Sequence, residues 1–229
     1  MRRSVLLLLA GLLASCTGSS RAGPEHPVYG KPVGMLEGRM TIADARKLPP
    51  GWGVTVEGHV TVPTGGYDAG FAIQDSTGGI WIAADTVPRF AGDTGIRARQ
   101  GHRVRVTGIL VSNHGFLTVK PQADSVTSSY GWVPAARSVR TGEVGEANEG
   151  LWVMFDGRVT EPVVDDRPYG WKIMVDDGSR PVQVFVPAHR RFDPSGIRVG
   201  QRLMGTGIVA QYDAIHEIIS YPMLIAGSL

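Results

Sequence analysis

The sequence predicts an all-β fold made of two similar five-stranded barrels in tandem, and three observations support this prediction. Residues 56–63 are echoed by 155–162, and residues 101–109 by 200–208, so that paired glycines keep one offset of 99 residues. Both copies alternate apolar and polar residues with the period of half-buried strands. Length differences between the copies fall in predicted loops, as in a duplicated folded unit. We therefore expect one small domain that was copied once.

The N-terminus predicts a signal peptide. Arg2 and Arg3 precede an apolar stretch that ends at Ala14 and is too short to span a bilayer as a stable helix. The stretch runs into Leu13-Ala14-Ser15-Cys16, which resembles the lipobox of bacterial lipoproteins. The resemblance implies a signal peptide over 1–15 and acylation of Cys16, which becomes the mature N-terminus. The alternative is an ordinary signal peptide with an incidental cysteine.

The same resemblance implies a cell-envelope protein that is lipid-anchored and contacts the membrane through its N-terminus. Thr17, rather than an aspartate, follows the cysteine. By resemblance to enterobacterial sorting, this favours the outer membrane over the inner membrane. Glycines and prolines break any regular pattern after Cys16, so residues 16–40 are predicted to form a flexible tether.

The remainder divides into a first domain over 41–132 and a second over 133–229. Thr41 to Asp44 has the pattern of a helix start, and Pro49 and Pro50 end that short helix. Strands are then predicted in the same order in both copies: Val54–Val62, Gly70–Asp75, Gly79–Asp85, His102–Ser112 and Phe116–Val119 in the first, and Leu151–Val164, Tyr169–Asp176, Val182–Val186, Arg202–Ala210 and Glu217–Tyr221 in the second.

A glycine lies in the middle of each long first strand, at Gly58 and Gly157, where it predicts a bend or bulge. A bent first strand, a hairpin, a loop and a second hairpin are typical of a Greek-key barrel of the OB type. A β-sandwich needs more strands per unit than either copy supplies. The fold class is therefore two tandem OB-type barrels after a lipoprotein signal peptide and tether.

Three motifs of the first copy resemble bacterial OB-fold domains of secreted nucleases and of the periplasmic parts of signalling proteins. They are the strand Gly58 to Thr61, the hairpin Gly70 to Ile80 and the strand Gly101 to Gly108. The second copy keeps the first and third motifs in degenerate form. These motifs consist of glycines at bends and apolar residues inside, so the resemblance implies a fold and leaves the function open.

No catalytic, cofactor or metal site is predicted from sequence spacing. The six histidines are scattered, and Cys16 is the only cysteine. The acidic pairs Asp165-Asp166 and Asp176-Asp177 fall where turns are predicted, and aspartate is favoured in turns for its own backbone hydrogen bonds. We therefore expect a protein that is not an enzyme.

The charge balance argues against strong non-specific binding of nucleic acid. The chain has 23 basic and 21 acidic side chains, and removal of the signal peptide takes away Arg2 and Arg3 and no acidic residue. The mature protein then has no formal net charge, whereas phosphate binding normally needs a basic face.

A binding face can still be predicted, because OB barrels present the outer surface of their second and third strands, with two bordering loops, to chain-like ligands. Alternation places Trp81 on this surface, and Arg103 and Arg105 share one face of a later strand. The candidate ligand-binding residues are Tyr67, Trp81, Arg103, Arg105, Asn113, His114 and Phe116 in the first copy, and Tyr169, Lys172, Phe185 and Tyr212 in the second. The alternative for Trp81 is that it packs against the other domain or beneath the linker.

Two classes of function remain from the sequence. The first is a non-enzymatic envelope lipoprotein whose OB modules bind single-stranded nucleic acid or an oligosaccharide. The second is an accessory subunit that contacts an envelope protein. A neutral mature chain favours protein or glycan over nucleic acid.

Overall fold

The computed structural model describes residues 32–83, 98–190 and 192–227. The predicted signal peptide, Cys16 and most of the predicted tether lie outside these residues. Within the described ranges, no helix is long and apolar enough to cross a membrane.

The first barrel is built from five strands that close on themselves. Its elements are β1 (Gly34–Met35), α1 (Ile42–Ala45), β2 (Trp52–Val62), β3 (Phe71–Gln74), β4 (Gly79–Ile82), β5 (Arg103–Asn113) and β6 (Phe116–Ser129). The sheet order is β1-β2-β3-β4-β6-β5, and an additional β2–β5 pairing closes the ring of β2 to β6. Strand β4 runs parallel to β6, while the other pairs of the ring are antiparallel.

The second barrel repeats this arrangement. Its strands are β7 (Arg137–Ser138), β8 (Trp152–Val159), β9 (Val164–Asp166), β10 (Gly170–Asp176), β11 (Val182–Pro187), β12 (Arg202–Tyr212) and β13 (Ile215–Ala226), with short 3-10 helices at Thr141–Glu143, Glu146–Asn148, Ala188–Arg190 and Pro194–Gly196. The order is β7-β8-β12-β13-β11-β10-β9, closed by β8–β10. Both rings therefore have the strand order 1-2-3-5-4-1 of an OB barrel, which confirms the predicted fold class.

In each barrel, the glycine in the middle of the first strand (β2 or β8) allows that strand to pass close to the second strand (β3 or β10). A Cβ atom at Gly58 would lie 2.8 Å from the carbonyl oxygen of Gln74 on β3. At Gly157 it would lie 2.8 Å from the side chain of Val175 on β10. Any larger residue would push the first two strands of the barrel apart, so both copies need glycine there.

Each barrel has its own hydrophobic core. The largest fully buried side chains include Phe71 and Ile73 in the first core, and Phe155 and Ile173 in the second. A third cluster joins the outside of the first barrel to the outside of the second. The barrels belong to one compact unit, and this third cluster is what brings them together.

The repeated unit begins earlier than the sequence predicted. Gly34 and Met35, assigned by sequence to the tether, pair with β2 in parallel, and Arg137 and Ser138 pair with β8 in the same way. In the first copy, Asp75 of the β3–β4 turn accepts a hydrogen bond from the Ile42 amide at 2.9 Å.

Asp177 plays the same part in the second copy. It accepts a hydrogen bond from the Thr141 hydroxyl at 2.9 Å, and it also binds Ser179 within its own turn. Both carboxylates thus cap a short helical turn against the following hairpin. Asp177 has the turn role that the sequence favoured over a catalytic one.

Some strands also differ in length from their predictions. Strand β6 extends to Ser129 instead of ending at Val119, because Pro121 lies at a register shift opposite Gly108, where the missing amide is tolerated. Strand β8 ends at Val159, and the separate strand β9 follows it. The predicted strand Gly79–Asp85 runs into residues 84–97, which lie outside the described ranges.

Candidate ligand-binding face of the second barrel

Trp81 is buried between the two barrels, as the alternative for this residue stated, so it does not form an exposed binding platform. Its side chain is only 3% exposed and packs in the third cluster with Ile208, Ala210 and Ile219 of the second barrel. The alternation of inward and outward residues along β4 correctly placed the Trp81 side chain outside the core of the first barrel. That outer surface of β3 and β4 is covered by β12 and β13, which leaves the usual OB ligand face of the first barrel closed.

Two other candidates of the first copy take part in the same contact. Phe116, at the start of β6, is buried with its ring centroid 6.5 Å from that of Trp81. Tyr67, in the β2–β3 loop, meets Trp81 edge-on at 5.9 Å and meets Phe185 of the second barrel at 6.3 Å. Tyr67 therefore reaches from the first barrel to the equivalent face of the second.

The ligand face of the second barrel holds a cavity of about 410 Å³. Strands β10 and β11 form its base, β9 and the β12–β13 hairpin form its sides, and Tyr67 of the first barrel closes one end. The lining residues are Tyr67, Asp166, Tyr169, Lys172, Gln183, Phe185, Tyr212, Ile215 and Glu217. Five of these nine are residues that the sequence singled out as candidates.

The base of the cavity carries a buried acid. Glu217 is 6% exposed, and its carboxylate accepts a hydrogen bond from the Gln183 side chain. The two residues face each other because β11 and β13 pair in parallel with Gln183 opposite Glu217. Burial raises the pKa of Glu217, while the hydrogen bond from Gln183 and the nearby charge of Lys172 act in the opposite direction.

Two further polar groups are fixed beside this acid. The ammonium group of Lys172 lies 2.9 Å from the carboxylate of Asp166 on β9. Burial, followed by the charge of Glu217, raises the pKa of Tyr67 to about 12. Tyr67 therefore keeps its hydroxyl proton at neutral pH and can donate a hydrogen bond into the cavity.

The rim of the cavity is aromatic and open. Tyr169 is 72% exposed and Tyr212 is 55% exposed, and both side chains border the cavity. His114 of the first barrel stacks on Tyr212 with a centroid distance of 4.4 Å, and its Nδ1 atom lies 2.9 Å from an Asp213 carboxylate oxygen. The tip of the β5–β6 hairpin thus supports one wall of the pocket in the other barrel.

Asn113, Arg103 and Arg105 are not brought to this cavity. Asn113 ends β5 opposite Phe116, outside the lining. Arg103 and Arg105 both bind the Glu57 carboxylate, which Arg39 also contacts at 2.7 Å. The three guanidinium groups thus share one carboxylate on the neighbouring strand, so Glu57 orients the predicted basic face while the cluster keeps a net positive charge.

Glu57 itself remains ionised within this cluster. Burial opposes its ionisation, but the hydrogen bonds from Arg103 and Arg105 prevail and lower its pKa. The second copy repeats the pair on the same strands, where Asp156 binds Arg202. In both copies the ion pair joins neighbouring strands of the ring, β2 to β5 and β8 to β12, so it is an element of the barrel wall.

Sequence reasoning missed Gln183 and Glu217, the polar groups at the base. Gln183 lies two residues before Phe185 on the same strand, so alternation could have placed it on the same face. Glu217 could not be found in this way, because its place depends on the parallel pairing of β11 with β13. That pairing joins strands that are distant in sequence.

No protein-family model matches the sequence, and no curated protein matches it. Among solved structures, a murine DNA-binding protein with double-stranded DNA is 13% identical, with a TM-score of 0.36 over 76% of this chain and 93% of the matched chain. The Ifi202 HINa domain in complex with 20-bp double-stranded DNA is 11% identical, with a TM-score of 0.37 over 76% and 96%.

A replication protein A heterotrimer bound to single-stranded DNA is 13% identical, with a TM-score of 0.30 over 77% of this chain. The match covers about half of that protein, at 49%. At such identities and TM-scores, these likenesses carry no argument about what this chain binds. The assignment to the OB type rests on the strand order of the two rings.

Proposed function

We propose that this chain is a binding protein that holds a segment of a neutral oligosaccharide in the cavity of the second barrel. The cavity lies on the face where OB barrels take chain-like ligands. Its volume of about 410 Å³ falls in the range of small-ligand sites, roughly 300–1,000 Å³. A cavity open at its rim admits one or two units of a chain while the rest of the chain extends into solvent.

The lining has the chemistry that a sugar requires. The exposed rings of Tyr169 and Tyr212 offer flat apolar surfaces to the C–H groups of a pyranose ring. At the base, Glu217 and Gln183 present a carboxylate and an amide, and Lys172 presents donors. These groups can both accept from and donate to the hydroxyls of a sugar.

The charge of the lining is the observation that selects an oligosaccharide over an oligonucleotide. Two carboxylates, Asp166 and Glu217, stand against one ammonium group, and Lys172 is already paired with Asp166. A phosphodiester backbone would therefore meet a net negative surface where nucleic-acid sites need a positive one. A neutral sugar chain meets no such repulsion.

Replacing Tyr169 with alanine should weaken sugar binding about fivefold or more. A stacked ring contributes about 1–3 kcal/mol where nucleobases are bound, and we expect the lower end of that range for a sugar. The measurement is isothermal titration calorimetry with chitotetraose and maltotetraose, compared with a 12-mer of deoxythymidine at low and high salt.

The matched control is Trp132→Ala, which removes another exposed aromatic ring outside the cavity and should leave affinity unchanged. Salt-dependent binding of the oligonucleotide, with no binding of either sugar, would contradict the proposal. So would equal losses of affinity in Tyr169→Ala and Trp132→Ala.

We also propose that the protein is held at the cell envelope by a lipid on Cys16. The support is the run Leu13-Ala14-Ser15-Cys16 that follows a charged and apolar N-terminus. Cys16→Ser should move the protein to the soluble fraction or leave an uncleaved precursor, as seen by fractionation and gel mobility. A variant that fractionates and migrates like the wild type would rule out the anchor.

A further inference from the structure

Three charged or ligating side chains meet at the contact between the two barrels. Glu146 and Glu149 lie between β7 and β8 of the second barrel, and His216 lies near the start of β13. One donor atom from each residue lies within 4.8 Å of the other two. The group lies outside the cavity described above, although Ile215 and Glu217 on either side of His216 line that cavity.

Arg46 holds both carboxylates in a defined orientation. Its Nη2 atom lies 2.9 Å from Oε1 of Glu146 and 2.9 Å from Oε1 of Glu149. The Leu117 amide also donates to Oε1 of Glu149, at 3.3 Å. The second oxygen of each carboxylate therefore faces His216, with Nε2 at 3.7 Å from Glu146 Oε2 and 3.9 Å from Glu149 Oε2.

The atoms that face each other are buried and unsatisfied. The Glu149 side chain is fully buried. Its Oε2 atom and the His216 Nε2 atom have no hydrogen-bond partner among the described residues. Buried polar atoms without partners are rare in folded proteins, so two of them that face each other indicate a site for a bound group between them.

The spacing suits a metal ion better than a direct hydrogen bond. Distances of 3.7 and 3.9 Å are too long for a hydrogen bond between these atoms. Two donors bound tetrahedrally to one zinc ion at about 2.0–2.2 Å each are about 3.4 Å apart, so each carboxylate oxygen would move a few tenths of an ångström toward His216, within a group whose donor atoms all lie within 4.8 Å of one another.

We propose that Glu146, Glu149 and His216 bind a divalent transition-metal cation of the zinc class. Two carboxylate oxygens and one imidazole nitrogen form a donor set that suits such an ion, and water can complete the coordination. Arg46 is the positioning residue, because it holds the oxygens that do not face the ion. Two carboxylates against one guanidinium leave the site with a net negative charge before the ion enters.

All three ligands belong to the second copy, and only the positioning residue Arg46, which follows α1, comes from the first barrel. No local spacing motif in the sequence indicates this metal site, because Glu149 and His216 are far apart in sequence. The sequence expectation of no metal followed from that lack of spacing.

The test uses the full chain, freed of metal with EDTA and then dialysed against ZnCl₂. We expect one zinc per chain by elemental analysis and a higher melting temperature with zinc than with EDTA. Glu146→Gln and His216→Ala should each weaken zinc binding at least tenfold. Replacing zinc with Co²⁺ should give visible absorption bands in the wild type that are lost in His216→Ala.

The matched control is His189→Ala, which removes an exposed histidine and keeps Glu146, Glu149 and His216. Glu146 is largely exposed, so Glu146→Gln should fold even if a change at a more buried ligand does not. Absence of bound zinc in the wild type would overturn the proposal. Equal zinc binding by His216→Ala and His189→Ala would do so as well.

Discussion

We expect Trp81→Ala to lower the free energy of unfolding by about 3–5 kcal/mol, the usual cost of removing a buried tryptophan. The indole fills the contact between the barrels against Ile208, Ala210 and Ile219. Alanine would leave a cavity that the two rigid rings cannot close by collapsing around it. Urea denaturation followed by circular dichroism measures the change.

Trp132→Ala is the control for this prediction, because Trp132 is 68% exposed. It loses only a ring contact with His59 at 3.8 Å, and we expect a cost of about 1 kcal/mol. If Trp81→Ala were as mild as Trp132→Ala, the indole of Trp81 would not be part of a packed contact, and the ligand face of the first barrel would be open.

Gly150→Ala should be the second strongly destabilising change. Gly150 has φ +80°, and a Cβ atom there would lie 2.3 Å from the carbonyl oxygen of Gly79 in the first barrel. The left-handed backbone costs a non-glycine residue about 1–2 kcal/mol. Forcing the two backbones apart adds about 1–3 kcal/mol, as for other overpacked sites.

Gly178→Ala separates these two costs. Gly178 has φ +91°, but an added Cβ atom there would meet nothing within 4 Å. We expect Gly178→Ala to show only the left-handed cost, of about 1–2 kcal/mol. Equal melting temperatures for the two variants would mean that the Gly79–Gly150 contact does not hold the barrels together.

The fold was predictable because its signals are local and repeated. The glycines that the two copies share at one offset indicate the order of the elements. The alternation of apolar and polar residues in the strands indicates which face carries Trp81, Lys172 and Phe185. The ion pair between Arg105 and Glu57 could also have been predicted, because the two residues lie directly opposite each other where β5 pairs with β2.

The contact between the barrels was not predictable in the same way. The alternation of residues along the strand shows that the Trp81 side chain points away from the core of the first barrel. It does not show whether solvent or another domain contacts that side chain. The equivalent residue of the second barrel, Phe185, is also buried and packs against Tyr67, but the outer face of β10 and β11 beside it lines the open cavity. Duplication gives two equal faces, and the packing of one barrel on the other makes them unequal.

The cavity was only partly predictable for the same reason. Tyr169, Lys172 and Tyr212 belong to elements that border the usual OB ligand face, so the fold alone indicates them. Glu217 and the reach of Tyr67 across the contact depend on strand pairing and on barrel placement. Neither leaves a periodic signal in the sequence.

Hydroxyl-radical footprinting read by mass spectrometry tests most directly whether the first ligand face is covered and the second is open. We predict that Tyr169 and Tyr212 are oxidised at rates close to that of Trp132, while Trp81 and Phe116 are protected. Oxidation of Trp81 at the rate of Trp132, in protein that is still folded, would contradict the account.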